Sequence, residues 1–429
     1  MGKLIVFCLD ALCSLDIEFM KTLPNFAWLI SNGSYVLHAE PIYPSTTYPC
    51  HTSIITGNYV NRHGVYHNAP VEVGNLSLPW FNQRSDIKCA TLLDSAKLYG
   101  YRTCSISWPV TGGADFDLNM PMIVPIDYSG PDPLQFLINN ATGDLIERYY
   151  SKYAHYLIGK NRSLDHYTMA IALDIIRDYQ QPDVMLIKMC DLDSVRHVYG
   201  VDNSHVHEQL RIHDDQFGLI LDMVKKHGDI DNTNFIILGD HGQSDIVNTL
   251  NMNIILKNNG YLKVDDDNKV IDYDAYCHSV SLSAWIQLKH PEDFKQKKNI
   301  YEFLLNLKMN KRYGIGYVYT KQEAEQLFHL SGPFDFIIEG EKPTTFESTL
   351  IGNDIFGTSF YPGHKKLVAS HGGLPFKDET TTFIAFGPTI KKGVAIQRRS
   401  IVDVAPTMAT MLGFKLSDVD GKPIFEILK

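Results

Sequence analysis

Seven cysteines are scattered through 429 residues, with no C-x-x-C pair and no finger-like spacing. That scatter excludes a closed, cysteine-rich structural zinc site, and the odd count argues against a complete disulfide framework. Reduced thiols in a cytoplasmic protein are the simplest reading. Nowhere does the chain approach the roughly 18 uninterrupted apolar residues of a membrane span. The opening MGKLIVFCLD is apolar only briefly before Asp10 interrupts it, and no small-residue cleavage site follows. The myristoylation pattern fails at position six, so neither a signal peptide, a lipid anchor nor a membrane partner is expected. No Lys/Arg-rich block stands out, and the net charge is −10. A nucleic-acid polymer is therefore not an expected partner. No internal repeat appears, which removes solenoids and propellers.

What is present reads as globular α/β sequence, with 44% apolar and 21% charged residues. The length allows two domains or one large domain with an insertion. Four short runs are rich in β-branched and aromatic residues: LIVF (4–7), VMLIKM (184–189), FIIL (235–238) and FIAF (383–386). Runs of this kind without alternation predict strands buried on both faces of a parallel sheet. Helical spacing is clear over 164–179 and 205–226, and a polar, Tyr-rich helical stretch over 144–157 follows the break SGPDPLQ (129–135). Between His241 and His371 the texture changes. SVSLSAWIQL (279–288) alternates like a strand with one wet face. A Lys-rich helical stretch (291–307), GIGYVYT (314–320), a short helix and FDFIIEG (334–340) follow. The expected organisation is a core of 1–266 and 365–429, with 267–364 inserted as a small α+β cap. The core ends in a helix near 403–412.

Asp10, Asp193, His197, Asp240, His241 and His371 lie beside those runs. In open parallel sheets ligands bind beyond the carboxyl ends of the strands. Three carboxylates gathered there repel one another unless cations lie between them. Asp193 and His197 are four apart, which on a helix puts both on one face; Asp191 is the rival ligand. Asp240 and His241 are adjacent and reach one site only if the chain has left the strand, a turn that Gly239 and Gly242 permit. Each piece has a plainer reading: a surface ion pair, a turn, a satisfied core histidine, or a helix cap for Asp10. Together, oxygen and imidazole donors on four strand-end loops suit two divalent cations, zinc better than magnesium.

The segment PIYPSTTYPCHTSIITG (41–57) places Thr46 and Thr47 ahead of a helix expected to begin near Pro49. A hydroxyl there adjoins free N–H groups that bind phosphate well. The competing reading makes Thr47 only a helix cap. Tyr66, Trp80, Phe81 and Trp108 are candidate stacking residues by proximity alone, with core packing the better expectation for each.

In family order, LPNFAWLISNGSYV, YPSTTYPCHTSIITG, NRHGVYHN, DLDSVRHVYG, GDHGQSD, SHGGLP and SIVDVAPTMATMLGFKLSDVDGKPI resemble the alkaline phosphatase superfamily. Within it they resemble the nucleotide pyrophosphatase/phosphodiesterase branch. The resemblance implies an alkaline-phosphatase-like, mostly parallel sheet flanked by helices. It implies Thr47 as nucleophile and Asn68 as a donor to a phosphoryl oxygen. It also implies one zinc held by Asp193, His197 and His371, and another by Asp10, Asp240, His241 and Thr47. The implied activity is hydrolysis of phosphate diesters or nucleotide pyrophosphate bonds through a phosphothreonine, with a small phosphate ester such as a nucleotide as substrate. Alternatives are a phosphomonoesterase or phosphonate hydrolase on the same site and, more remotely, a non-catalytic metal- or phosphate-binding protein. Relatives often carry Thr-Lys-Thr-Phe-Pro-Asn where this chain has Ser45-Thr46-Thr47-Tyr48-Pro49-Cys50, which leaves Cys50 and His51 in unfamiliar surroundings.

Overall fold

The computed structural model describes residues 2–123, 134–158, 162–361, 365–377 and 380–429. At its centre eight strands form one sheet. Their order is Ala395–Ser400, Ser34–Glu40, Thr381–Phe386, Thr233–Leu238, Lys3–Leu9, Val184–Met189, Thr103–Ile106 and Leu118–Met120. All neighbouring pairs are parallel except those of Thr381–Phe386, which runs against both of its neighbours. The expectation of a parallel strand at 383–386 is thus corrected. The other strands of the central sheet flanking it point the opposite way, and this one enters from the edge where theirs end.

The first strand shows how the sheet is held. Leu4, Val6 and Cys8 pack on one side with Ile54, Ile55 and Met408. Ile5, Phe7 and Leu9 pack on the other with Ile171, Ile175 and Phe217. Period-two alternation with both faces apolar gives helices on both faces. Each such fully buried Leu, Ile, Val or Phe contributes about 1.5–3 kcal/mol. The helices predicted at 164–179 and 205–226 are Leu164–Asp178 and Ser204–His227, N-capped by Ser163 and Asn203. The Tyr-rich stretch is a succession of short helical turns from Gly143 to Tyr156. Most of the break at 129–135 lies outside the described residues.

A second sheet of four antiparallel strands has the order Ala275–Val280, Ser283–Leu288, Phe336–Gly340, Ile315–Thr320. Helix Phe294–Met309 covers one face with Ile300 and Leu304, which share a cluster with Ile286, Phe336 and Ile338. The run 279–288 is not one strand with a wet face. It crosses a tight hairpin, with Val280 paired to Ser283 and Ser281 at φ 59°. Its second face is dry because Val280, Trp285, Phe334 and Ile337 pack into the main core. Of the serines there, Ser283 is buried, whereas Ser279 and Ser281 are half-buried.

Candidate metal centre and cleft

Every predicted donor arrives at one edge of the central sheet. Asp10 follows Lys3–Leu9, and Asp240 with His241 follow Thr233–Leu238. Asp193 and His197 lie on helix Asp191–Tyr199, directly after Val184–Met189. His371 follows a two-residue strand, Ala369–Ser370, that pairs with Ser244–Asp245. This pairing ties the His371 segment to the segment that carries His241.

The donors form two groups that share His241: Asp193, His241 and His371, and Asp10, Asp240 and His241. His241 Nε2 lies 3.4 Å from Asp10 Oδ1 and 3.2 Å from Asp240 Oδ2. Asp193 Oδ1 lies 3.3 Å from His197 Nε2 and 3.7 Å from His371 Nε2. The rings of His241 and His371 stack at 3.8 Å. Asp191 belongs to neither group and instead accepts a hydrogen bond from Ser163 Oγ at 2.9 Å.

The residues fit divalent cations on two independent grounds. Asp10 Oδ1 and Asp240 Oδ2 are buried acceptors without a hydrogen-bond donor, a state that costs free energy unless something else satisfies them. In addition, three imidazoles are set by the same device. Nδ1 of His197, His241 and His371 faces the backbone oxygen of Ala369, Gly242 and Ser45 at 2.7, 3.1 and 2.9 Å. A carbonyl only accepts, so each Nδ1 carries a proton, and each ring turns its Nε2 toward the carboxylates. Histidines that ligate metals are held in this way. Burial, and then the Asp240 carboxylate, push the Asp10 carboxyl well above its usual range. Burial acts on Asp240 in the same direction, but His241 and His51 outweigh it and hold that group low. Two buried carboxylates so coupled are relieved by positive charge between them.

Helix Thr47–Thr56 begins two residues earlier than expected, with Thr46 as N-cap and Thr47 as its first residue. Pro49 still lies in the first turn, where its missing N–H is harmless. The reading of Thr47 as a cap is therefore replaced. The Thr47 N–H has no intrahelical acceptor, and its Oγ1 lies 3.2 Å from His241 Nε2. Asn68 Oδ1 accepts from the Tyr48 N–H at 3.0 Å, which leaves its Nδ2 donor for a ligand.

Thr47, Asn68, Asp193, His197 and His371 line a cleft of about 710 Å³ whose other walls include His278–Ser281 and Glu347–Thr349. Trp80 lines it and also packs edge-on against Tyr48 at 5.0 Å. Trp108 is fully buried with its edge against His51. Tyr66 and Phe81 pack on each other.

Over residues 4–353 the chain matches the family model of type I phosphodiesterase/nucleotide pyrophosphatase. The chain belongs to that family. It is 26% identical over 249 residues to bovine ectonucleotide pyrophosphatase/phosphodiesterase family member 3, covering 56% of this chain and 24% of that one. To the rat family member 7 it is 21% identical over 421 residues, 93% of this chain and 81% of the other. Against bis(5'-adenosyl)-triphosphatase enpp4 of Xenopus laevis the figures are 22%, 94% and 75%. The chain thus spans about a quarter of the bovine relative. Human ectonucleotide pyrophosphatase/phosphodiesterase 5 has the same fold, with a TM-score of 0.69, 16% identity and full coverage of both chains. A murine counterpart, in an inactive Thr-to-Ala form, is known in complex with AMP. His371 lies beyond the family match, so its place beside Asp193 comes from the geometry.

Sequence reasoning missed two neighbours of the donors. Gln243 is fully buried and donates through Nε2 to Asp193 Oδ1 at 2.6 Å. Lys188 lies 2.7 Å from Asp10 Oδ2. A charge inside an apolar strand run was the available signal for Lys188; none pointed to Gln243.

Proposed function

We propose that this chain hydrolyses phosphate diesters or nucleotide pyrophosphate bonds at Thr47, on a two-zinc centre. The observation that carries the reading is Thr47 Oγ1, in the first turn of a helix that lines the cleft, beside His241 and the two Asp/His groups, one of which holds the donorless oxygens Asp10 Oδ1 and Asp240 Oδ2. Asp193, His197 and His371 would hold one cation, and Asp10, Asp240, His241 and Thr47 the other. When bound, such cations supply the charge that favours a threonine alkoxide and stabilises a departing oxygen.

The chain's own groups do the rest. Thr47 Oγ attacks phosphorus, the P–O bond to the leaving alcohol or phosphate breaks, and a phosphothreonine forms. Water then adds to that phosphorus, the bond to Thr47 Oγ breaks, and the hydroxyl is regenerated. Asn68 Nδ2 and the Thr47 N–H donate to a non-bridging oxygen as its charge grows. Residues 267–364 act as a cap over the 1–266 and 365–429 core, a reading supported by His278–Ser281 and Glu347–Thr349 on the cleft wall. The relatives named for nucleotide hydrolysis favour a small nucleotide as substrate. The absence of a disulfide among the described residues favours a reducing, cytoplasmic setting, and no helix among them is long and apolar enough to cross a membrane.

The test is Thr47→Ala in the zinc-loaded protein. Turnover of bis-(p-nitrophenyl) phosphate should fall at least about 10³-fold, with metal content and melting temperature near those of wild type. Near-normal turnover would sink the assignment. Faster wild-type turnover of p-nitrophenyl phosphate than of the diester would transfer the same site to monoesters.

A further inference from the structure

One charged group at the centre has no part in the chemistry above. Lys188 is 1% exposed. Its Nζ lies 2.7 Å from Asp10 Oδ2, 3.0 Å from Cys190 Sγ and 3.6 Å from Met122 Sδ. Asp10 is its only ion-pair partner among the described residues. Strand register explains the meeting. Lys188 stands opposite Cys8 in the parallel pair, and alternation brings Cys8 and Asp10 to the same face.

The contact divides the Asp10 carboxylate. Oδ2 is taken by the amine, while Oδ1 is buried, lacks a donor and faces His241 Nε2 at 3.4 Å. Stability alone gives little reason for a buried amine here. Desolvating both ions offsets most of their attraction, and an apolar side chain of similar length usually packs as well or better. The amine sits instead on the Asp10 side of the Asp10–Asp240 pair, whereas Asp240 has the Ala11 N–H at 3.1 Å and His51 Nδ1 at 3.2 Å.

We propose that Lys188 is a positioning residue for the metal centre. It holds Asp10 by Oδ2 so that Oδ1 alone is offered to a divalent cation, and it stands in for that cation's charge while the site is empty. The inference rests on the metal-centre reading but not on the phosphoryl-transfer chemistry. Two consequences oppose each other. The empty site stays foldable because one carboxylate is already neutralised. An arriving cation is held less tightly because a like charge remains beside its ligand.

Lys188→Met separates this role from ordinary packing. Full-length wild type, Lys188→Met and Lys188→Arg are stripped with chelator, and unfolding is followed with and without Zn²⁺. Zinc affinity is measured in parallel by competition with a chromogenic chelator. The Met variant should lose more melting temperature empty than loaded, so zinc raises its midpoint more than that of wild type. Its zinc affinity should be at least about tenfold tighter, while the Arg variant, which keeps the charge, behaves like wild type. A Met variant that folds only with zinc supports the proposal. An equal or smaller zinc-induced gain, or weaker zinc binding, overturns it. If Lys188→Met does not fold with zinc, Lys188→Gln is read in the same way. Failure of both in zinc makes Lys188 a plain folding element and also overturns the proposal. A wild type that gains nothing from zinc overturns the metal centre itself, and this inference with it.

Discussion

Gln243 shows how much of the centre depends on side chains that hold no ligand. Its amide donates to Asp193 Oδ1 at 2.6 Å and to the Asp193 carbonyl at 3.1 Å. One residue thus fixes both the rotamer and the backbone of a candidate ligand. Losing such an outer-shell partner typically weakens metal binding about 10–100-fold. Gln243→Ala should therefore bind zinc that much more weakly while Thr47 and Asn68 stay in place. Competition against a chromogenic chelator measures this, and unchanged affinity would remove Gln243 from the centre. Asp193 and His197 were legible because i,i+4 spacing on a helix is local. Gln243 was not, because its partner lies fifty residues away and nothing in GDHGQS distinguishes it from an exposed turn residue.

At the level of elements, helix Thr47–Thr56 is the instructive case. All ten residues are buried although half the sequence is polar. Three of its hydroxyls are satisfied within the helix or at its end: Thr52 and Thr56 donate to the carbonyls four residues back, and Ser53 donates to Asn58 O. Residues that bond their own backbone can be buried without outside partners, so hydropathy understated this helix. The turn at Asp240 has a different cause from the expected one. Gly239 is needed for room: a Cβ there would lie 2.1 Å from Thr381 Oγ1 and 2.6 Å from Leu12 O. Gly372, beside His371, needs both room and its φ of +94°. Gly239→Ala should cost about 1–3 kcal/mol through overpacking against backbone. A urea midpoint equal to that of wild type would refute the close approach.

Taken as a whole, the molecule carries titratable groups whose state the fold sets. Burial lowers His63 to about 3 and His67 to about 4. His63 Nδ1 accepts the Val65 N–H and its Nε2 faces Ser53 Oγ, so it is held neutral. Unfolded, each histidine titrates near 6.5. Between pH 6.5 and about 4 the unfolded chain therefore binds protons that the fold refuses. Stability should fall as pH drops through that window, by up to about 1.4 kcal/mol per pH unit for each histidine. His63→Gln should be less stable than wild type at pH 7.5 yet lose stability less steeply with acid. Urea titrations across the window measure this, and parallel slopes would count against it.

Pattern alone singled out the candidate donors and placed most of them just after buried strands. Buried strands announce themselves by composition, and the residues that follow them in a parallel sheet share one edge. Only the tertiary structure decided the rest. The reversed sense of Thr381–Phe386, the sharing of His241 between two groups and the Lys188–Asp10 contact each depend on segments far apart in the chain. Local periodicity states which face a residue occupies. It cannot state which distant segment meets that face, because that follows from the packing of the whole core.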